Sequence, residues 1–294
     1  MVSWKALISL MRPQQWYKNL IIFVPVFFST LALEPSLLYL TFLGFVSLCL
    51  ASSGNYVLND IIDKESDRHH PEKKLRPIAS GAIHVSLGVF LTLILFACSL
   101  ALAYSLNFNF FLLIIFFIVL TKIYSLYLKK IVFVDVLVIS VNFVIRAVAG
   151  IILLDRPTTP WLIVCPFFLA LFLAVGKRKA DVNLLKQKAT AHKKVLQFYT
   201  PELTDSLLII ATTLLLISYT LYAFLSEHQY YLLLSLPFAL YLVFYYFSLL
   251  NSDSSIPRHP EQALRDKHIL IGVLLWGIVT LLAIYLPQMM HSLI

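Results

Sequence analysis

Three aspartates at helical spacing carry the strongest chemical signal in the chain. Asp60, Asp63 and Asp67 stand at i, i+3 and i+7, and Asn59 lies four residues before Asp63. On one helix these side chains share a face, with neighbours roughly 5–6 Å apart. Carboxylates stacked in this way repel one another, and a cation is needed to offset the repulsion. Mg²⁺ takes oxygen ligands and is commonly held by one or two carboxylates together with substrate phosphates and water. The pattern predicts a Mg²⁺ site on Asp60, Asp63 and Asp67, with Asn59 orienting or sharing that shell. A merely solvated acidic helix end has the same composition, but it has no reason to follow an apolar run directly, as this one does.

Basic residues lie beside the aspartates and again further on. The stretch His69–Pro77 brings Lys73, Lys74 and Arg76. Arg76, set between Leu75 and Pro77, is read as a bidentate phosphate ligand; for Lys73 and Lys74 a purely topogenic role serves as well. A second polar cluster reads Gly176-Lys177-Arg178-Lys179-Ala180-Asp181. Lys177 and Asp181 are i, i+4 neighbours, and the cluster suits a second phosphate and a second metal shell. Near the N-terminus, Trp16 and Tyr17 suit the aromatic belt of a membrane interface, and Lys18 and Asn19 face headgroups or substrate. Arg146, with Asn142 one turn earlier, lies inside an apolar segment, where an ionisable group faces a cavity or a partner; phosphate and carboxylate both remain open. Tyr124, Lys129 and Arg265 complete the substrate-binding candidates.

Other chemistries are excluded by what is missing. There is no Ser-His-Asp pattern, Walker A loop or dinucleotide glycine fingerprint. The three cysteines, Cys49, Cys98 and Cys165, all lie in apolar runs and form no C-x-x-C pair, which excludes a disulfide framework and a zinc site. The adjacent His69 and His70 are poorly placed to share one metal.

The elements that must position these residues are membrane spans. The chain is 60% hydrophobic and only 13% charged, against roughly 25% charged in soluble domains. Spans need about 20 apolar residues. Nine candidates follow, at about 16–33, 37–57, 84–105, 108–127, 132–153, 159–176, 207–225, 230–249 and 268–290. The first is read as a retained span, not a cleaved signal. With the N-terminus in the cytoplasm, every Lys and Arg except Arg146 and Arg156 falls on the cytoplasmic side, as the positive-inside rule requires. Nine spans then put the C-terminus outside. The +8 formal charge is therefore topological, and no nucleic-acid partner is expected. Three long polar loops, about 58–83, 177–206 and 250–267, cap the cytoplasmic mouth. The expected fold is an all-α integral membrane protein: a nine-helix transmembrane bundle with cytoplasmic cap loops, and one catalytic domain over 1–294.

The Asn59–Asp67 pattern after the second span, with the span count and cytoplasmic caps, resembles the UbiA superfamily of intramembrane prenyltransferases. Met11 through Asn19, Asn59 through Gly81, Ile145 through Gly150, Gly176-Lys177-Arg178, and Pro260-Glu261 with Ala263 through Asp266 resemble more closely its polyprenyl-phosphate (decaprenyl-phosphate) phosphoribosyltransferase branch. The resemblance implies that the phosphate of a polyprenyl phosphate attacks C1 of 5-phosphoribosyl diphosphate and that diphosphate leaves. Mg²⁺ would be the cofactor, held by Asp60, Asp63 and Asp67. Lys18, Arg76, Lys177 and Arg178 would hold the ribose 5-phosphate and the lipid phosphate. It also implies the bacterial inner (plasma) membrane, with a cytoplasmic active site, and leaves a homo-oligomer open. Two departures stand out: the branch usually has Glu where this chain has Asp181, and the 260–266 segment is one residue shorter than the pattern. An aromatic prenyltransferase is the runner-up, but it would carry a second aspartate pair where Lys177–Asp181 stands. A transporter would place ionisable groups deep in several spans, whereas here Arg146 is nearly alone.

Overall fold

Within lipid the backbone must satisfy its own hydrogen bonds, and a chain this apolar does so with helices. The computed structural model describes residues 3–29, 34–69, 73–156, 158–187, 194–226, 229–252 and 254–291, and none of these forms a strand. In chain order the helices are α1 (Trp4–Met11), α2 (Val24–Phe28), α3 (Pro35–Ile62), α4 (Lys64–Arg68), α5 (Val85–Leu106), α6 (Phe108–Leu126), α7 (Val134–Leu154), α8 (Trp161–Gln187), α9 (Pro201–Leu225), α10 (Gln229–Leu232), α11 (Leu236–Asn251) and α12 (Lys267–His291). Shorter 3-10 stretches include Pro13–Phe23, Lys73–Leu75, Leu128–Lys130, Lys194–Phe198 and Pro260–Arg265. Several starts are locally encoded. Pro35 and Pro201 occupy the first helical turn, where a missing N–H costs nothing. The Thr200 hydroxyl caps α9 by accepting from Leu203 N at 3.1 Å, and Asn107 caps α6 through Asn109 N and Phe110 N.

Among the described residues eight helices are long and apolar enough to cross a membrane. They match the last eight predicted spans, and the protein is an integral, multi-pass membrane protein. The first predicted span, 16–33, is different. It is a 3-10 helix over Pro13–Phe23 followed by the five-residue α2, and its end lies outside the described residues. Pro25 removes a backbone donor in the middle of this stretch and its ring crowds the preceding turn, so a single α-helix does not run through it. A second difference concerns the predicted 177–206 loop. The α-helix that begins at Trp161 continues to Gln187, so Lys177, Arg178 and Asp181 sit on a helix and not in a loop.

The chain divides into two units by its internal contacts, 1–26 with 34–127 and 145–157, and 27–33 with 128–144 and 158–294. In the first, α3 packs along α5, and α1 and the Pro13–Phe23 helix pack on α3. Small polar residues fasten α3 to α5: Ser47 Oγ donates to Ser99 O at 2.9 Å and Ser99 Oγ to Ser47 O at 2.8 Å, the kind of close interhelical bonding that membrane helices use. Leu10, Val57, Ile78, Ile83 and Leu95 form one core of this unit, and Ile22, Leu48, Phe110, Phe117 and Ile145 form the other. In the second unit α8, α9 and α11 pack around Phe172, Val175, Leu208, Val243 and Tyr246, and α12 packs on α11. Gly176 lets the Tyr246 ring lie directly against α8, where a Cβ would collide with the phenol.

Candidate functional site

The acidic motif of the first unit begins inside a span and ends outside it. Asp60 is on the last turn of α3. At Asp63 the helix breaks, with φ −84° and ψ 3°, and α4 resumes at Lys64. The i→i−4 hydrogen bonding nevertheless passes through the break: Asp63 N donates to Asn59 O at 2.9 Å and Asp67 N to Asp63 O at 2.8 Å. The break turns the chain without separating Asp60 from Asp67, and both side chains are about 1% exposed.

Buried carboxylates need partners, and these have guanidinium groups. Arg76 Nη1 donates to Asp67 Oδ2 at 2.6 Å and to Asp60 Oδ1 at 3.2 Å. Arg12 Nη2 donates to the same Asp60 Oδ1, and Lys73 Nζ lies 3.8 Å from Asp67 Oδ1. Arg12 reaches Asp60 from an unusual backbone position. It caps α1 with φ 52° and ψ 58°, a left-handed conformation that a residue with a side chain adopts rarely and at some cost, and its guanidinium also lies 5.0 Å over the Tyr56 ring. Burial pushes the Arg12 pKa below its ordinary value and the Asp60 charge opposes that shift; arginine stays cationic throughout.

Among the described residues no three His, Cys, Asp or Glu side chains gather closely enough to hold a metal ion. Arg12 and Arg76 supply positive charge beside Asp60 and Asp67. A substrate-completed Mg²⁺ site still fits. Asp60 Oδ2 is buried and receives no hydrogen bond from the protein. Mg²⁺ is typically held by one or two carboxylates plus substrate phosphates, not by a protein cage. Asp60, with Asp67 and Asp63 beside it, is a donor set of that kind.

Arg146 uses a neutral amide side chain as one of its acceptors. It is buried in α7, donates from Nε to the side-chain carbonyl of Asn19 at 2.8 Å, and lies 4.8 Å over the Phe117 ring. Asn19 in turn donates to Cys49 Sγ at 3.3 Å and to Ser52 Oγ at 3.4 Å. Thus Asn19, predicted to face headgroups or substrate, is a buried strut between the Pro13–Phe23 helix, α3 and Arg146.

The second unit carries the other polar cluster. Arg178 Nε donates to Asp135 Oδ2 at 2.8 Å, and Arg178 Nη1 to Asp181 Oδ2 at 3.4 Å. Asp181 Oδ1 also accepts from Arg258 Nε at 3.3 Å. Tyr199 donates to Asp135 Oδ1 at 2.6 Å. Lys179, one residue along α8, is paired with Asp205 at 2.6 Å. Lys177 and Lys129 are half-buried in this unit and Arg265 is exposed on its 3-10 helix; Lys18 and Tyr124 are half-buried in the first unit.

Sequence reading therefore missed Arg12 as a partner of Asp60, and Asp135, Tyr199 and Arg258 altogether. A signal existed for Asp135: a lone carboxylate in the first turn of an otherwise apolar span is costly without a buried partner.

Residues 20–265 match the UbiA prenyltransferase family. The decaprenyl-phosphate phosphoribosyltransferase of Mycolicibacterium smegmatis is 30% identical, with 92% of this chain and 89% of that protein covered. The enzyme of the same name from Mycobacterium tuberculosis is 29% identical, with 92% and 91% covered. In three dimensions the chain resembles a UbiA homologue from Archaeoglobus fulgidus bound to GPP and Mg²⁺, with a TM-score of 0.71, 20% identity, and 95% of this chain and 99% of that one covered. A digeranylgeranylglyceryl phosphate synthase superposes with a TM-score of 0.64 at 18% identity, covering 95% and 98%.

Proposed function

This chain belongs to the UbiA prenyltransferase family and is a transferase, and from that premise we propose that it transfers the 5-phosphoribosyl group of 5-phosphoribosyl diphosphate to a polyprenyl phosphate. A phosphate oxygen of the lipid attacks C1 of the ribose, the C1–O bond to diphosphate breaks, and diphosphate leaves with the bonding pair. The observation that carries this reading is the near-full-length similarity to two decaprenyl-phosphate phosphoribosyltransferases. The site chemistry agrees with it. The attacking group is already an anion, so no strong general base is needed. Arginines at both clusters, Arg12 and Arg76 in one and Arg178 and Arg258 in the other, suit donor and acceptor phosphates, which they meet as forked, permanently charged donors.

Asp60, Asp63 and Asp67 are the proposed metal ligands, and Asn59 orients that shell. Bound Mg²⁺ would offset the charge that develops on the departing diphosphate. Lys18, Arg76, Lys177 and Arg178, with Asp181, hold the substrate phosphates and the ribose. Tyr124, Lys129, Arg146 and Arg265 remain proposed substrate contacts. We place the protein in a bacterial inner membrane, N-terminus and active site on the cytoplasmic side and C-terminus outside. The test is a product assay with purified protein, Mg²⁺, polyprenyl phosphate and 5-phosphoribosyl diphosphate. Mass spectrometry should find the lipid heavier by one phosphoribosyl unit, and EDTA should suppress it. No product across several chain lengths refutes the reading and moves the search to prenyl diphosphate with aromatic acceptors.

A further inference from the structure

Asp135 raises a question that the proposed chemistry leaves unanswered. A fully buried carboxylate at the start of an apolar helix is expensive, and it persists only where its partners are well made. Both oxygens are used: Oδ2 accepts from Arg178 Nε at 2.8 Å and Oδ1 from the Tyr199 hydroxyl at 2.6 Å. That hydroxyl is itself given a direction. It accepts from Phe133 N at 3.1 Å, so its single proton goes to Asp135. Phe133 presents its N–H from a left-handed backbone, φ 66°, and its ring meets the Tyr199 ring edge-on at 5.9 Å. Val182 and Leu196 pack around the same phenol. Burial first, and then the bond to Asp135, push the Tyr199 hydroxyl above its ordinary pKa, so it keeps its proton. Arg178 is thereby held at two points of one plane, Nε by Asp135 and Nη1 by Asp181. Two anchors on a planar group fix both its plane and its heading.

We propose that Asp135 and Tyr199 are positioning residues that set the orientation of Arg178 for a phosphate of the diphosphate-bearing donor. This rests on the reading of Arg178 as a donor-binding group. Tyr199 belongs to the segment that follows the 3-10 helix Lys194–Phe198, 64 residues from Asp135 in sequence, so the pair also ties that segment to the head of α7. Without the phenol hydroxyl, Asp135 Oδ1 loses its donor and the carboxylate is free to turn towards a second N–H of Arg178, which rotates the guanidinium away from its heading.

The test is Tyr199→Phe, which keeps the ring and its packing, with Asp135→Asn as the second variant. Two quantities are read: the Kd of inorganic diphosphate by calorimetry on the detergent-purified protein, and the steady-state constants of phosphoribosyl transfer. Diphosphate binding should weaken about tenfold and donor KM rise by a similar factor, corresponding to one lost, well-oriented interaction of about 1.4 kcal/mol. Turnover number and acceptor KM should stay within about twofold, a split that general destabilisation does not produce. In an Arg178→Lys background the same Tyr199→Phe change should have less than about a twofold effect, because residues acting through one group are non-additive. An unchanged diphosphate Kd in both variants, or an equal effect in both backgrounds, overturns the inference. A wild-type protein that binds diphosphate but makes no phosphoribosyl lipid refutes the proposed reaction alone, and the binding arm still decides the role of Tyr199.

Discussion

Replacing Asp60 by Asn separates the two jobs that its carboxylate is given. The change is nearly isosteric and leaves an oxygen able to accept from Arg12 and Arg76, both now bonded to Asp60 Oδ1. What it removes is the charge. Hydrogen bonds to charged groups are worth about 1.5–3 kcal/mol and neutral ones about 0.5–1.5 kcal/mol, so each of the two bonds weakens by about 1 kcal/mol. Arg12 and Arg76 are partly exposed, at 21% and 25% of their side chains, and solvent dampens their mutual repulsion once the anion between them is gone. Arg76 also keeps its shorter bond to Asp67. Asp60→Asn should therefore cost about 2 kcal/mol of stability and still give a folded, membrane-inserted protein. Catalysis should suffer far more. Asn offers an amide N–H₂ where Asp60 Oδ2 lies buried without a partner, and that group repels a metal ion. Loss of outer-shell support alone typically costs 10–100-fold in metal affinity or activity, so loss of a ligand should lower kcat/KM by at least about a hundredfold. The assay pairs product formation at several Mg²⁺ concentrations with a melting curve in detergent. Wild-type activity in a folded Asp60→Asn protein would refute the metal assignment. A protein that fails to insert at all would show that the pairing with Arg12 and Arg76 matters more to the fold than argued.

Three further outcomes are expected. Arg12→Lys keeps the charge but loses the planar guanidinium over Tyr56, and kcat/KM should fall about tenfold, as lysine is a poor substitute where a guanidinium stacks; undiminished kinetics would make Arg12 a simple counter-charge. Lys177→Ala should raise donor KM several-fold with little change in the melting temperature, and an unaltered KM returns Lys177 to a topogenic role. Asn19→Ala removes the acceptor that Arg146 uses at 2.8 Å, and should lower stability by about 1–3 kcal/mol, read as an earlier unfolding midpoint in detergent.

How much of this was legible in the residues depends on range. Helical spacing is local, and it correctly put Asp60 and Asp67 on one side of the chain even though α3 breaks at Asp63. That break carries no Pro or Gly, so nothing in the sequence announced it. Apolar run length is also local, and the last eight spans fall within a few residues of their predicted ends, apart from α8 and α9, which extend further into the polar segments between them. Partners brought together by folding were not legible. Arg12 meets Asp60 across 48 residues and Arg178 meets Asp135 across 43, and no periodicity encodes either pairing. The Mg²⁺ reading assumed that the aspartates had only a metal to offset their repulsion. The arginines that share that task lie sixteen residues on, at Arg76, and at the far end of α1.

The pairing has a chemical consequence for the acceptor. The carboxylates of both clusters have cationic or phenolic partners: Asp60 has Arg12 and Arg76, Asp67 has Arg76 and Lys73, Asp135 has Arg178 and Tyr199, and Asp181 has Arg178 and Arg258. Prenylation of an aromatic ring must dispose of a ring proton to a base. A phosphate monoester of a lipid has no such proton to lose at the attacking oxygen. It needs to be brought close, desolvated and held against the repulsion of a phosphorylated donor, which is work for permanently cationic forks. Each cluster by itself, Arg12 with Arg76 and Arg178 with Arg258, thus suits the anionic substrates of the proposed reaction.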